Sequence, residues 1–467
     1  MKLSNKMRIL TFIVFCTLII SVKASENKPY NAIVSGIPWY DQNGKPVSAH
    51  GACIVKEGET FYLFGEYKTD SANVFAGFSC YSSTDLCNWK FERMVLPIQT
   101  SGKLGPNRVG ERVKVMKCPT TGEFVMYMHV DGLNYKDQFV GYATSKTING
   151  VYTFQGPLLF DGKSVRKWDM GTFQDTDGKG YVITHSGNLY QLADDYKSVS
   201  AQIVKDMTPQ CEAPVIFKRK GIYFWIGSKL SSWEKNDNYY FTASSLAGPW
   251  KERGLIAPEG TLTWNSQSTF VLPIAGAKDT TYLFMGDRWS FPRQYSAATY
   301  VWQPLVVSDS SLLMPQFKQS WTMDSRTAKW NDLVLDGKVI DNKDKVAIQY
   351  QGTWTNAGEQ ISSDAKGATF TVKFTGTQIG FYGQAGPTGG YAKVTLYKNR
   401  KTILDSQVDM YCKYPETSLR FLSPTLENAS YKLVVTVIGE HGIWKNKKGT
   451  VFGSTGNTVS LYKILLK

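Results

Sequence analysis

The chain has 467 residues, 53 Lys and Arg against 39 Asp and Glu, and aromatic side chains at 13% of its positions. The net charge of +14 shows no clustered Lys/Arg face, which argues against a nucleic-acid binder, and the cysteines lack metal-ligand spacing, which argues against a zinc module or a disulfide-built miniprotein. Helical periodicity is almost absent, so an α-rich fold is excluded, and the length predicts two domains.

Met1 to Ala24 reads as a signal peptide. Lys2, Lys6 and Arg8 precede the apolar run Ile9 to Val22, and Val22-Lys23-Ala24 is an acceptable cleavage site. The run is short for a spanning helix, no second one follows, and Cys16 lacks the small residue that precedes a lipidated cysteine. An exported monomer, periplasmic or extracellular and without a membrane span, is expected. Without residues 1–24, which hold four basic and no acidic side chains, the charge falls from +14 to +10, a balance that suits an acidic polysaccharide or a merely basic exported protein. Cys53, Cys80, Cys87, Cys118, Cys211 and Cys412 are read mostly as core thiols.

From His50 onward, one pattern recurs five times: an apolar strand, a Gly- or Asp-containing turn and an aromatic strand. The repeats run from His50-Gly51-Ala52 to Phe61-Tyr62-Leu63-Phe64-Gly65, from Glu111-Arg112-Val113 to Phe124-Val125-Met126-Tyr127-Met128, and from Asp169-Met170-Gly171 to Gly180-Tyr181-Val182-Ile183. The last two run from Glu212-Ala213-Pro214 to Tyr223-Phe224-Trp225-Ile226-Gly227, and from Gln267-Ser268-Thr269 to Tyr282-Leu283-Phe284-Met285-Gly286. Outer hairpins follow, such as Cys80-Tyr81-Ser82-Ser83 and Tyr240-Phe241-Thr242-Ala243. Short strands in repeated units predict a five-bladed β-propeller over residues 30–322. Near Met323 the rhythm changes. Alternating strands such as Ala368 to Phe374 and Tyr431 to Val437, broken by Gly-rich turns such as Gly386 to Gly390, predict a jelly-roll β-sandwich over residues 331–467, with Ser325 to Trp330 as a linker.

Inner strands of a propeller start at one end of a common axis, so equivalent residues of the repeats converge. Those residues are His50, Glu111, Asp169, Glu212 and Gln267, all polar and three of them carboxylic. Taken singly, each reads as a strand-end residue in water. Together they form a carboxylate ring among aromatic side chains. That is what glycoside hydrolysis requires: a protonated acid for the leaving oxygen and a second group across the sugar. Neighbouring carboxylates raise one another's pKa, which helps to keep the acid protonated. Trp233 and Trp289, in loops after aromatic strands, are candidates for sugar stacking, with Tyr135 and Trp264 behind them. Arg288 suits sugar hydroxyls or a central carboxylate. His129 and His185 read as interior strand residues, and no histidine pair has metal-ligand spacing.

The propeller resembles glycoside hydrolase family 43, and within it the exo-β-1,3-galactanase group. The resemblance rests on Ala49-His50-Gly51-Ala52, Phe64-Gly65-Glu66-Tyr67-Lys68, Glu111-Arg112-Val113-Lys114-Val115, Met128-His129-Val130-Asp131 with Tyr135, Trp168-Asp169-Met170, Glu212-Ala213-Pro214, Ser266-Gln267-Ser268 and Met285-Gly286-Asp287-Arg288-Trp289. It implies that Glu212 is the general acid and Asp169 the carboxylate that tunes it. His50, Glu66, Tyr135, Trp233, Arg288 and Trp289 are expected to line the sugar site. Most members are inverting and carry a general-base Asp at the start of blade one; here His50-Gly51-Ala52 occupies that place, a departure the galactanase group shares. In that group a blade-five glutamine and a blade-two glutamate flank the water, and Gln267 and Glu111 match them. Three routes stay open: Gln267 orients water while Glu111 takes the proton, Glu66 takes it instead, or Gln267 acts through a tautomer. The resemblance allows a structural calcium ion in the central channel, although no residue pattern specifies one, and no other cofactor is expected.

The sandwich resembles carbohydrate-binding jelly rolls through Ile348 to Trp354 and Phe374 to Ile379, and either binds glycan or only buttresses the propeller. The expected activity is removal of galactose from the β-1,3-galactan backbone of arabinogalactan. An α-L-arabinofuranosidase is the alternative within the family, and a non-catalytic glycan-binding protein, suggested by the missing Asp, is the alternative outside it.

Overall fold

The computed structural model describes residues 30–467 apart from residues 72 and 447, so the signal peptide read over Met1 to Ala24 lies outside the described residues. Five antiparallel sheets follow one another along the first two-thirds of the chain as the blades of a propeller. Blade one is built from His50–Glu57, Thr60–Glu66, Phe78–Ser83 and Lys90–Leu96, and blade two from Arg108–Lys117, Phe124–Gly132, Phe139–Ser145 and Thr153–Pro157. Blade three has Met170–Gln174, Gly180–Thr184, Asn188–Leu192 and Val199–Val204, and blade four has Glu212–Arg219, Ile222–Ser228, Tyr239–Ala243 and Lys251–Leu255.

Inner and second strands are covered on both faces by neighbouring blades, so they read as near-continuous apolar runs. In Phe124–Gly132 every residue but the last is buried. Between blades lie aromatic side chains such as Trp225, Trp302 and Trp321, each fully buried; rings of this size dominate the apolar area removed from water.

Blade five has three strands of its own, Gln267–Ala275, Thr280–Arg288 and Thr299–Pro304. Its outer edge is closed from both ends of the domain. Ile33–Val34 pairs with Ser320–Asp324, and the Ser35 hydroxyl and Gly36 amide donate to the carbonyls of Trp302 and Tyr300 at 2.8 and 2.7 Å. The stretch expected as a linker, Ser325 to Trp330, is instead the turn and return of a hairpin: Lys329–Asp332 pairs back on Ser320–Asp324.

The C-terminal part is a sandwich. One sheet orders Lys338–Asp341, Lys463–Leu466, Ile379–Ala385 and Glu416–Leu422; the other orders Ile348–Gln351, Thr369–Gly376, Ala429–Val437, Tyr391–Lys398 and Lys401–Asp409. Strict alternation in Thr369–Gly376 turns Phe370, Val372 and Phe374 inward, the signature of a sheet with one buried face. A small hairpin, Ile443–Lys445 with Val451–Gly453, reaches the propeller, where Trp444 packs edge to face on Phe291. Five of the six described cysteines are buried, Cys87 is half-buried, and none forms a disulfide. No helix among the described residues is long and apolar enough to cross a membrane.

Candidate active site

In blades one, two and four, the strand's first site residue is followed by one with left-handed backbone, Gly51, Arg112 and Ala213 with φ of 57°, 55° and 50°. At each, the register with the second strand slips by a bulge directly afterwards. A bulge breaks the alternation of side chains. Consecutive residues can then both address the centre, as Glu111 and Arg112 do. Gly51 is required for a second reason: a Cβ there would lie 2.0 Å from Glu66 Oε1.

Cross-strand neighbours of the site residues are polar as well. His50 faces Glu66, Glu111 faces His129, Glu212 faces Ser228, and Gln267 faces Asp287. The result is a second polar ring just behind the first, and the two interlock. Glu111 Oε1 accepts from Asn73 Nδ2 at 2.5 Å and from the Tyr135 hydroxyl at 3.0 Å, while Oε2 lies 2.9 Å from His129 Nδ1. His129 Nε2 meets Asp131 at 3.2 Å. Burial alone favours the neutral form of Glu111, but the hydrogen bond and charge of His129, with Lys68 and Asn73, bring it down to about 2. Burial also opposes the charge on His129, yet Asp131 and Glu111 lift it to about 9. Glu111 and His129 are therefore an ion pair at neutral pH.

Glu212 is in the opposite state. Burial first, then the Asp169 carboxylate, push it well above the ordinary glutamate range, and Arg112, the Ser231 backbone and Gln267 pull it back less. A proton on Glu212 at neutral pH is what this environment favours. Asp169 itself is held by Arg112 at 3.1 Å and by the Ala213 amide at 2.9 Å.

Gln267 is wired on every side. Its Nε2 donates to Glu212 at 2.9 Å and to Ser228 at 3.0 Å; its Oε1 accepts from Arg112 Nη2 at 2.6 Å and from the Trp289 indole at 2.9 Å. Arginine and indole N–H groups only donate, so the amide's orientation is determined by its partners. Two donors on that oxygen leave no place for a proton on it, which disfavours the tautomer route in this arrangement.

Glu66 is buried, bonded by the Arg112 amide at 2.8 Å and ion-paired with Lys68. Burial raises it, and Lys68 offsets that only in part. His50 is buried behind these groups, stacked on Tyr300 at 4.6 Å and joined to Asp287 at 3.0 Å, so it braces blade one against blade five. Below the site, Lys114 donates to the Gly51 carbonyl at 2.7 Å, and burial lowers its ammonium to about 8.

Of the aromatic candidates, Trp233 is half-buried beside Phe291, ring on ring at 5.5 Å, with Lys68 Nζ 5.3 Å from its centroid. Trp289 corrects the expectation of a stacking platform. It is buried to 3%, contacted by Lys68, Arg112 and Trp233, and its N–H serves Gln267. Arg288 also differs from its expected role. Its guanidinium turns away from the carboxylates to the carbonyls of Asn265 and Trp264 at 3.1 and 3.0 Å, with Glu416 of the sandwich at 3.8 Å. Trp264 lies in a left-handed turn, Leu262 to Asn265, and spends its N–H on the Met314 carbonyl at 3.0 Å, packed in the core between blades four and five.

Sequence reasoning did not single out Lys68, Asn73, Arg112 or Asp287 as site residues, and it read His129 as interior packing. His129 is interior, and it also holds Glu111. A signal for this was present: the ends of the second strands, at Glu66, His129, His185, Ser228 and Asp287, line up as the starts of the first strands do.

The one group among the described residues with ligand atoms close enough for a metal ion is Glu111, His129 and Asp169. Both His129 nitrogens already face carboxylates, and Arg112 sits on Asp169. Calcium prefers six to eight oxygen ligands, so these residues do not fit it.

The glycosyl hydrolases family 43 model matches residues 45–259. An exo-β-1,3-galactanase from Phanerochaete chrysosporium, solved with galactose, is 29% identical with a TM-score of 0.68 over 94% of this chain and 100% of that one. A variant of it was solved with β-1,3-galactotriose. A candidate exo-β-1,3-galactanase from Bifidobacterium bifidum is 36% identical with a TM-score of 0.55 over 60% of this chain and 95% of its own. An exo-β-1,3-galactanase from Clostridium thermocellum is 27% identical with a TM-score of 0.60 over 84% of this chain and 100% of its own. No curated protein matches.

Proposed function

We propose, from the premise that the chain belongs to glycosyl hydrolases family 43 and is a glycoside hydrolase, that it is an exported, inverting exo-β-1,3-galactosidase acting on arabinogalactan-type galactan. The observation that carries this reading is Glu212: a carboxyl bonded to Gln267 and facing Asp169, which with burial raises it well above the ordinary glutamate range. Such a group donates its proton to the leaving glycosidic oxygen as the bond breaks. Asp169, held in place by Arg112, faces the sugar carbon where positive charge develops.

Water enters on the Gln267 and Glu111 side. Gln267, held by four hydrogen bonds, orients it with the Nε2–H that it otherwise gives to Glu212, and the ionised Glu111 provides the acceptor towards which its proton moves. Half-buried Trp233 gives the sugar an apolar face to stack on. Galactan as the substrate is supported by the activity named for the similar structures, which is theirs and is carried here as a proposal.

Product chromatography tests the reading. Incubation with β-1,3-galactan should release free galactose, and incubation with arabinan should release nothing. Arabinose release would keep Glu212 and transfer the activity to an arabinofuranosidase. Binding to both polymers without any product would make the domain a glycan-binding protein.

A further inference from the structure

The two aromatic loops at the site are both gripped from behind by the sandwich. In the loop after blade four's second strand, Glu234 follows Trp233, and its Oε2 accepts from the Tyr411 hydroxyl at 2.6 Å. The next residue, Lys235, lies over the Tyr411 ring at 5.4 Å and donates to the Trp289 carbonyl at 3.1 Å. In the loop after blade five's second strand, Ser290 follows Trp289 and donates to Asp409 Oδ2 at 2.8 Å. Phe291 carries Trp444 on its edge, and Arg293 reaches Gln407 at 2.6 Å and Glu440 at 2.5 Å. The seam is tight: the cavity between Lys235, Trp289, Ser290, Asp409 and Tyr411 is about 10 Å³, room for one water. Glu234, Lys235 and Ser290 are all buried.

What these loops hold is the catalytic group itself. Trp289 donates to Gln267, Gln267 donates to Glu212, and the Ser231 backbone of the other loop reaches Glu212 directly. We propose that the sandwich is part of the catalytic apparatus, with Tyr411 and Asp409 as positioning residues that set Trp233 and, through Ser290 and Trp289, the Gln267 amide. This goes beyond both roles expected for the domain, glycan capture and plain support. The kinetic part rests on the galactosidase reading.

Three variants of the full chain test it: Tyr411→Phe, Ser290→Ala and, as a control at a different point of the same seam, Gln319→Ala, which removes the acceptor of the Leu419 amide at 3.0 Å. Each lost hydrogen bond is worth a factor of roughly five to ten. Tyr411→Phe should raise KM by about that factor, because Trp233 loses its fixed setting, and should lower kcat to a smaller extent, because the Ser231 backbone of the same loop bonds Glu212. Ser290→Ala should lower kcat by about that factor with KM little changed, because Gln267 loses its fixed setting. Gln319→Ala should alter neither. Hydrogen exchange of segments 229–236 and 287–292 supplies a readout that needs no substrate: it should quicken in the first two variants and not in the third. Three variants alike in thermal stability, exchange and kinetics would overturn the proposal and leave the sandwich a support. Should the wild type release no galactose, unchanged exchange in all three still overturns it, and quickened exchange in the two loop variants upholds it while only the substrate assignment fails.

Discussion

Glu212→Gln should lower turnover of β-1,3-galactan by about 10²–10⁴-fold, the span ascribed to a positioned general acid. The amide keeps an oxygen for the Gln267 donor, so geometry is preserved while the proton is lost. A substrate with a good leaving group needs less protonation and should be spared most of the loss. The same variant should be at least as stable as the wild type at neutral pH. Burial and Asp169 raise the folded-state pKa of Glu212 above its unfolded value. Its contribution to stability is therefore present below the unfolded value, near pH 4, and is lost as pH rises through the raised folded value. Thermal unfolding from pH 5 to 8 should show the melting temperature of Glu212→Gln gaining on that of the wild type as pH increases. A constant deficit across that range would mean that the carboxylate is structural.

Arg112→Met should destabilise the protein by about 3–5 kcal/mol at pH 7, the usual cost of removing one partner from a buried ion pair. Arg112 is the cation facing Asp169 at 3.1 Å; it bonds Gln267 at 2.6 Å and the Ser268 carbonyl at 3.2 Å, and it draws Glu212 downward. Without it, Asp169 is left in a buried site without its cation. Adding Asp169→Asn should recover part of the lost stability while activity stays low, since an uncharged amide needs no cation. Urea unfolding of the single and double variants at pH 7 gives the comparison. A single variant within 1 kcal/mol of the wild type at pH 7 would refute the central role given to this guanidinium.

The propeller was legible in the sequence because its blades repeat: five apolar-then-aromatic strand pairs cannot bury their faces except against one another. The convergence of Glu111, Asp169, Glu212 and Gln267 followed from the same repetition; hydrogen bonds and an ion pair join Asp169, Gln267 and Glu212 through Arg112, and Glu111 is held by His129, Asn73 and Tyr135. Arg112 itself was hidden. Simple alternation points the residue after Glu111 away from the centre, and only the left-handed bulge brings it back. Arg288 was misplaced for the mirror reason. It follows Asp287 in a regular strand, so Asp287 faces the centre and Arg288 faces the other way. Closure of blade five by Ile33–Val34 depends on a pairing nearly 290 residues apart, Ile33 with Trp321, which no local pattern announces. Asn73 comes from a loop without periodicity, and the grip of Tyr411 and Asp409 depends on how two folded units meet.

The most direct test of the account is proton NMR of the anomers formed from β-1,3-galactotriitol, the borohydride-reduced trisaccharide, in the first minutes of reaction. An inverting acid at Glu212, with water delivered from the Gln267 and Glu111 side, predicts α-galactose as the first sugar released, with galactobiitol as the only other early product. First appearance of β-galactose, or release from the reduced end, would contradict the account.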